Sequence, residues 1–203
     1  MEHVIGFVGY ECEDIVLYLA KLLTYLGKKA IIVDRTEQEM LLEVLEIPTG
    51  TVREADISGV TVTTRGLGGE SYDVIFYLFG YRLIHPKLYE CSSLIMVTDG
   101  VPAHASLLRK IGHWDRKQHL IIRNLVPMKH TEQYLASLAE HGENYSELPF
   151  DEKDFRMKYS LGAYADCKIR QLSKGMKDTL VTLVEFISPD IPERLVREAI
   201  RKT

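Results

Sequence analysis

The chain has 203 residues, 46% of them apolar, enough to fill one continuous core, and a single domain spanning 1–203 is expected. Its formal charge of −4 gives no general pull towards nucleic acid or anionic lipid. Three scattered cysteines, Cys12, Cys91 and Cys167, show no CxxC or Cys/His spacing for zinc, and no apolar run approaches the ~20 residues of a membrane span.

In chain order, residues 4–8 read as a buried strand. Ile15, Leu19, Leu22, Leu23 and Leu26 recur at helical spacing until Gly27 stops them, and residues 30–33 form a second strand. A short helix follows at 36–45. Two β-rich pieces between 51 and 64 pair as a hairpin at a sheet edge, ahead of a Gly-rich loop at 65–69. Buried strands come next at 74–79, 94–98 and 120–124, separated by helices at 102–111 and 131–141. Helices at 169–187 and 193–202 close the chain, broken by Ser188-Pro189-Asp190-Ile191-Pro192. Apolar runs alternating with amphipathic stretches imply an α/β fold, a mainly parallel twisted sheet flanked by helices on both faces. The first strand begins too early for a signal peptide, so a reducing, cytoplasmic setting is expected.

The strand, loop, helix and strand over residues 4–34 are the layout that normally carries a phosphate-binding loop. Such a loop needs glycines so that backbone N–H groups converge on the anion, a Lys to neutralise it, and a Ser or Thr for magnesium. Here the loop is Val8-Gly9-Tyr10-Glu11-Cys12-Glu13-Asp14, with no Lys, Ser or Thr between Gly6 and Ile15. Three carboxylates stand where the helix would face phosphate. Like charges at ~4 Å repel by roughly 4 kcal/mol at an effective dielectric of 20, so they oppose a polyphosphate. Their plainer role is to cap the helix, whose first turn favours acids. Cys12 reads as a passive thiol, because the flanking acids oppose its ionisation and no partner His is identifiable.

Elsewhere the seven histidines show no HxxxH or HExxH pattern, so no metal is expected. Trp114 reads as a packing anchor, and the pairs Arg109-Lys110 and Arg116-Lys117 as solvated charge rather than a nucleic-acid footprint. In the terminal helix Leu195, Val196, Ala199 and Ile200 share one face and cations line the rest. It lacks Phe and Trp, which favours docking on its own domain or a protein partner over lipid insertion.

The stretch LAKLLTYLGKKAIIVD (residues 19–34), Tyr72-Asp73 at the opening of a strand, and Leu148-Pro149-Phe150-Asp151 followed by a Gly-containing helical stretch and Leu172-Ser173-Lys174 stand in an order that resembles the MinD/ParA family of P-loop ATPases. Counted from Gly27, the resemblance puts the phosphate Lys position at Cys12, the magnesium Thr at Glu13 and the signature Lys at Phe7. Counted from Asp73, the Walker B carboxylate falls at Leu78. Asp34 matches the acid ending the second strand and serves equally well as a helix cap. Asn124, Pro149 and Asp151 match the adenine side, a residual base pocket against which ordinary turn chemistry at Asn124 must be weighed. The resemblance thus implies a nucleotide-independent pseudo-ATPase with no cofactor, an adaptor or regulatory subunit of a membrane- or pole-associated assembly. Its partners would be proteins, in a homodimer or heterodimer, with Tyr10 and Tyr81 as contact residues and membrane contact at most peripheral. Two other readings stand beside it: a Rossmann-type dinucleotide enzyme using Gly6, Gly9 and Asp34, although GFVGYE supplies only GxxG, and a weak nucleotide binder without hydrolysis.

Overall fold

A computed structural model describes residues 3–48, 52–110, 116–125, 144–164 and 167–203. Eight strands form one sheet in the order β3-β4-β2-β5-β1-β6-β7-β8. They are β1 (His3–Gly9), β2 (Ala30–Asp34), β3 (Glu54–Ile57), β4 (Val60–Thr63), β5 (Val74–Gly80), β6 (Ser93–Thr98), β7 (Lys117–Leu125) and β8 (Tyr145–Pro149). Every neighbouring pair is parallel except β3 and β4, which form the antiparallel hairpin expected at the edge. The described helices are α1 (Glu13–Tyr25), α2 (Met40–Val44), α3 (Pro102–Arg109), α4 (Glu152–Tyr164), α5 (Lys174–Ile187) and α6 (Glu193–Lys202).

Alternation along the central strands divides the core into two layers. Phe7, Ile32, Phe76 and Leu78 face one cluster with residues of α1, α5 and α6, while Val8, Val33, Tyr77 and Phe79 face a second with Ala105 and Leu108 of α3. A sheet buried on both sides explains why these strands are apolar at every position rather than at every other one.

Several boundaries differ from the sequence reading. The helix expected at 36–45 shrinks to α2, because Asp34 holds Thr36 and Leu41 in a capped turn and Glu39 takes a left-handed φ of 53°. The helix expected from 169 begins at 174: Ile169–Gln171 is a 3-10 turn, and Ser173 then caps α5 by accepting a hydrogen bond from the Met176 N–H at 3.0 Å. Pro149, matched to the adenine side, ends strand β8. The expected helix 131–141 and Trp114 lie outside the described residues. Arg116 and Lys117 are exposed, as expected, and each is also tied to the fold by a hydrogen bond. Arg116 donates to the Cys91 carbonyl, and Lys117 donates to the Phe186 carbonyl at 2.6 Å while lying over its ring.

The terminal helix α6 buries Val196, Ala199 and Ile200 against the domain. Leu195, expected on that same face, is exposed. Among the described residues no helix is long and apolar enough to cross a membrane.

Candidate functional site

The parallel strands β1, β5, β6 and β7 end at one edge of the sheet, and their loops carry most residues of interest. Open α/β sheets bind ligands at this carboxyl edge. Here the β1 to α1 connection is only Tyr10-Glu11-Cys12, because β1 stays in the sheet through Gly9, pairing with β5 as far as Val8 and with β6 up to Gly9 opposite Val97. The first amide beyond the strand, Tyr10 N–H, also goes to the sheet, donating to Val97 O at 2.9 Å.

The two glycines retained in this segment are required by packing. A Cβ at Gly6 would stand 2.6 Å from a Leu94 methyl, and at Gly9 it would meet the Val97 carbonyl oxygen at 1.9 Å, with φ at +117° besides. Neighbouring side chains at Gly6 and the Val97 backbone at Gly9, rather than approach of a phosphate, account for the two. At the other matched positions Phe7 is fully buried with its ring edge-on to Phe76, and Leu78 lies in the same core layer.

Glu13 and Asp14 stand in the first turn of α1 as expected, and Glu13 accepts from its own backbone N–H, but none of the three carboxylates is the N-cap itself. The N-cap is Cys12, which makes no side-chain capping bond. Asp14 instead receives a bidentate pair of hydrogen bonds from Arg123, at 2.7 and 3.0 Å, with both side chains almost wholly buried. Arg123 reaches there from near the end of β7 and also donates to the backbone carbonyl of Glu11. Glu11 adopts φ = 49°, a left-handed conformation costing roughly 1–2 kcal/mol for a residue with a side chain. Its carboxylate lies 2.9 Å from Lys158 of α4. Two cations therefore pin a strained turn, one by its backbone and one by its side chain.

Burial opposes the charge of Arg123, but the attraction of Asp14 outweighs it and holds the guanidinium protonated. Burial pushes the Glu13 carboxyl up, with Asp14 adding to the shift and the Glu13 backbone N–H opposing it. Burial pushes the Cys12 thiol well up too, with Glu13 and Asp14 acting in the same sense, so it is not an activated nucleophile. Among the described residues no group of His, Cys, Asp and Glu could hold a metal ion.

The structure brings Tyr10 and Tyr81 together around a third residue. The Tyr10 ring stacks on His104 with centroids 4.4 Å apart, and Tyr81 lies at 5.9 Å from the same imidazole. His104 Nδ1 is 2.8 Å from the Asp99 carboxylate, which also accepts the Val101 N–H. Tyr81 remains 40% exposed. Burial raises the pKa values of both phenols, which stay neutral.

The adenine-side residues resolve as local structure. Asn124 has φ = 56° where the β7–β8 register shifts, a bulge position that suits Asn. Asp151 accepts the Lys153 N–H at 2.8 Å at the start of α4, and Pro149 pairs opposite Leu125. Asp34 accepts from the Thr36 N–H and hydroxyl and from the Leu41 N–H at 2.6–2.9 Å, so it is the cap of the two readings. Sequence reasoning passed over Arg123, next to Asn124. An Arg inside the apolar run HLIIRNL was the available signal, since a buried guanidinium requires an acid.

No family model matches the chain, and no curated protein does. Solved structures do share its fold. A ParA family ATPase from Chlorobium tepidum superposes with a TM-score of 0.60 at 14% identity, over 89% of this chain and 99% of that one. A plasmid partition protein from Borrelia burgdorferi, solved with AMPPNP, gives 0.63 at 11% identity over 94% and 100%. Cobyrinic acid a,c-diamide synthase from Mycobacterium smegmatis, solved with ADP and magnesium, gives 0.62 at 14% identity over 93% and 97%. The chain therefore has the MinD/ParA-like P-loop ATPase fold, in three α/β layers.

Proposed function

We propose that this protein is a nucleotide-independent pseudo-ATPase that works as an adaptor, or as a regulatory subunit, of a membrane- or pole-associated assembly. The observation that carries the reading is the closure of the β1 to α1 turn from within: Arg123 holds Asp14 and the Glu11 carbonyl, where a ParA-type fold would admit phosphate. The absence of Lys and Ser/Thr from the loop, and Leu78 at the Walker B position, support the same conclusion. A turn fixed by the protein's own side chains has no empty state for a nucleotide to fill. Binding surfaces at this edge would then be permanent rather than switched. The partners are proteins, in a homodimer or heterodimer, and any membrane contact is peripheral.

Magnesium-ATP tests the reading. A ligand present at 100 times its Kd adds about 2.7 kcal/mol of stability. Neither a shift in melting temperature nor phosphate release is expected with ATP, ADP or NAD. A magnesium-dependent shift with ATP would overturn the proposal, and a shift with NAD alone would favour the dinucleotide reading.

A further inference from the structure

One part of this molecule carries a net excess of positive charge. Residues 168–178 and 193–203, which supply the turn before α5, the start of α5 and all of α6, contain eight cations and three acids in a chain whose formal charge is −4. The remainder is correspondingly acidic. Within this pole α6 packs beside the Ile169–Gln171 turn and α5, and Arg170, Lys177, Arg197 and Arg201 converge on an open cleft of about 390 Å³ floored by Ile200.

One of the four is committed: Arg197 donates to Asp178 at 2.8 Å and to Glu193 at 2.6 Å. Among the described residues no salt bridge neutralises Arg170, Lys177 or Arg201, although Glu198 feels the charge of Arg201. Lys174 and Lys177 also stand at the start of α5, where the helix dipole is positive and disfavours cations. The Asp154 carboxylate, bound to the Ser173 N–H at 2.7 Å and hydroxyl at 2.6 Å, offsets that pole on the buried side only. On the outer side cations are gathered against both their mutual repulsion and the dipole, an arrangement that a bound anion would relieve.

We propose that this cleft binds phosphate groups, either of a free polyphosphate-type ligand or of an anionic lipid headgroup. Three guanidiniums and an ammonium around one small opening match an anion carrying several charged oxygens, because each guanidinium presents a planar fork of donors. Val196, Ala199 and Ile200 of α6 are already buried and only Leu195 is exposed, so a lipid would be held by its headgroup and not by insertion of the helix. The inference does not depend on the state of the β1 to α1 turn.

The test uses the full chain at low salt, where exposed charges are least screened. Sodium tripolyphosphate is titrated calorimetrically, and separately the protein is sedimented with phosphatidylcholine vesicles with and without phosphatidylglycerol. The triple variant Arg170→Gln, Lys177→Gln, Arg201→Gln removes the uncommitted cations while leaving Arg197 and its two acids in place. It should fold normally by circular dichroism and bind about tenfold more weakly or worse. The pair Arg82→Gln, Lys87→Gln, elsewhere on the surface, should leave binding unchanged. Heat with tripolyphosphate alone assigns a free phosphate ligand, and phosphatidylglycerol-dependent sedimentation assigns a lipid headgroup. The proposal is overturned if neither arm responds, or if the triple variant binds as tightly as the parent. A folded Arg123→Leu, Asp14→Leu variant separates the two edges: loss of tripolyphosphate binding there would move the anion to the β1 to α1 turn and also sink the inference.

Discussion

Arg123 and Asp14 lie in a region where neither charge tolerates the other's removal. Their bidentate contact is almost free of solvent, and the guanidinium also holds the Glu11 carbonyl. Arg123→Ala strands a buried carboxylate and releases a left-handed residue, so a loss of about 3–5 kcal/mol is expected in urea denaturation. Replacing both residues by Leu should cost much less, because no orphaned charge remains. His119 offers a second test at this scale. It is buried, within 2.9 Å of the Ser146 hydroxyl and edge-on to Phe186, and burial, helped by Lys117, lowers its pKa to about 4. The unfolded chain takes up that proton near pH 6.5, so the stabilising contribution is complete above 6.5 and is lost as pH falls towards 4, by about 3 kcal/mol in all. Buried Asp34 and Asp154, whose carboxyls burial raises, act in the opposite sense over the acidic range. The difference between the parent and His119→Gln isolates the histidine: the variant's stability should fall less between pH 6.5 and 4, and parallel curves would refute the assignment.

At the scale of elements, β1 decides what its loop can become. Pairing on both sides through Val8 and Gly9 leaves too few residues to arch around a phosphate, whatever side chains they carry. Cys12→Lys with Glu13→Thr should therefore yield no ATP turnover, and it should melt lower than the parent, because position 12 is fully buried. Steady phosphate release by this double variant would show that the turn can open. The strands and α1 were legible because a sheet covered on both faces writes itself as unbroken apolar runs and α1 as a 3.6-residue stripe. Strand β8 was not, since YSELP at the sheet edge buries only Leu148 and ends in Pro. Helix α4 was legible only as a vague helical stretch, for its described buried side chains are few, Asp154, Met157 and Leu161 among them, while Phe155 and Tyr159 face solvent. The role of Arg123 escaped because its partner is 109 positions away, a separation that local periodicity does not encode.

For the whole molecule, the carboxyl edge of the sheet gathers Tyr10, Tyr81, Asp99 and His104 onto one surface while the cationic pole lies at α5 and α6. The family resemblance marked both tyrosines as contact residues, but it did not disclose the histidine that joins them. Aromatic side chains that are partly exposed and held by stacking present a large contact area at little entropic cost, which is the character of an interface anchor. Tyr10→Ser with Tyr81→Ser removes that area while leaving Asp99, His104 and the Arg123 turn in place. Folding should survive, as judged by circular dichroism, because neither ring belongs to the two core layers. Self-association in sedimentation velocity, or capture of a native partner, should weaken by at least about tenfold, as expected when two central aromatic contacts are lost. Leu195→Ser, at the exposed large apolar residue of α6, is the matching control and should leave association unchanged. If the tyrosine variant associates like the parent while Leu195→Ser does not, the interface lies on the terminal helix rather than at the carboxyl edge.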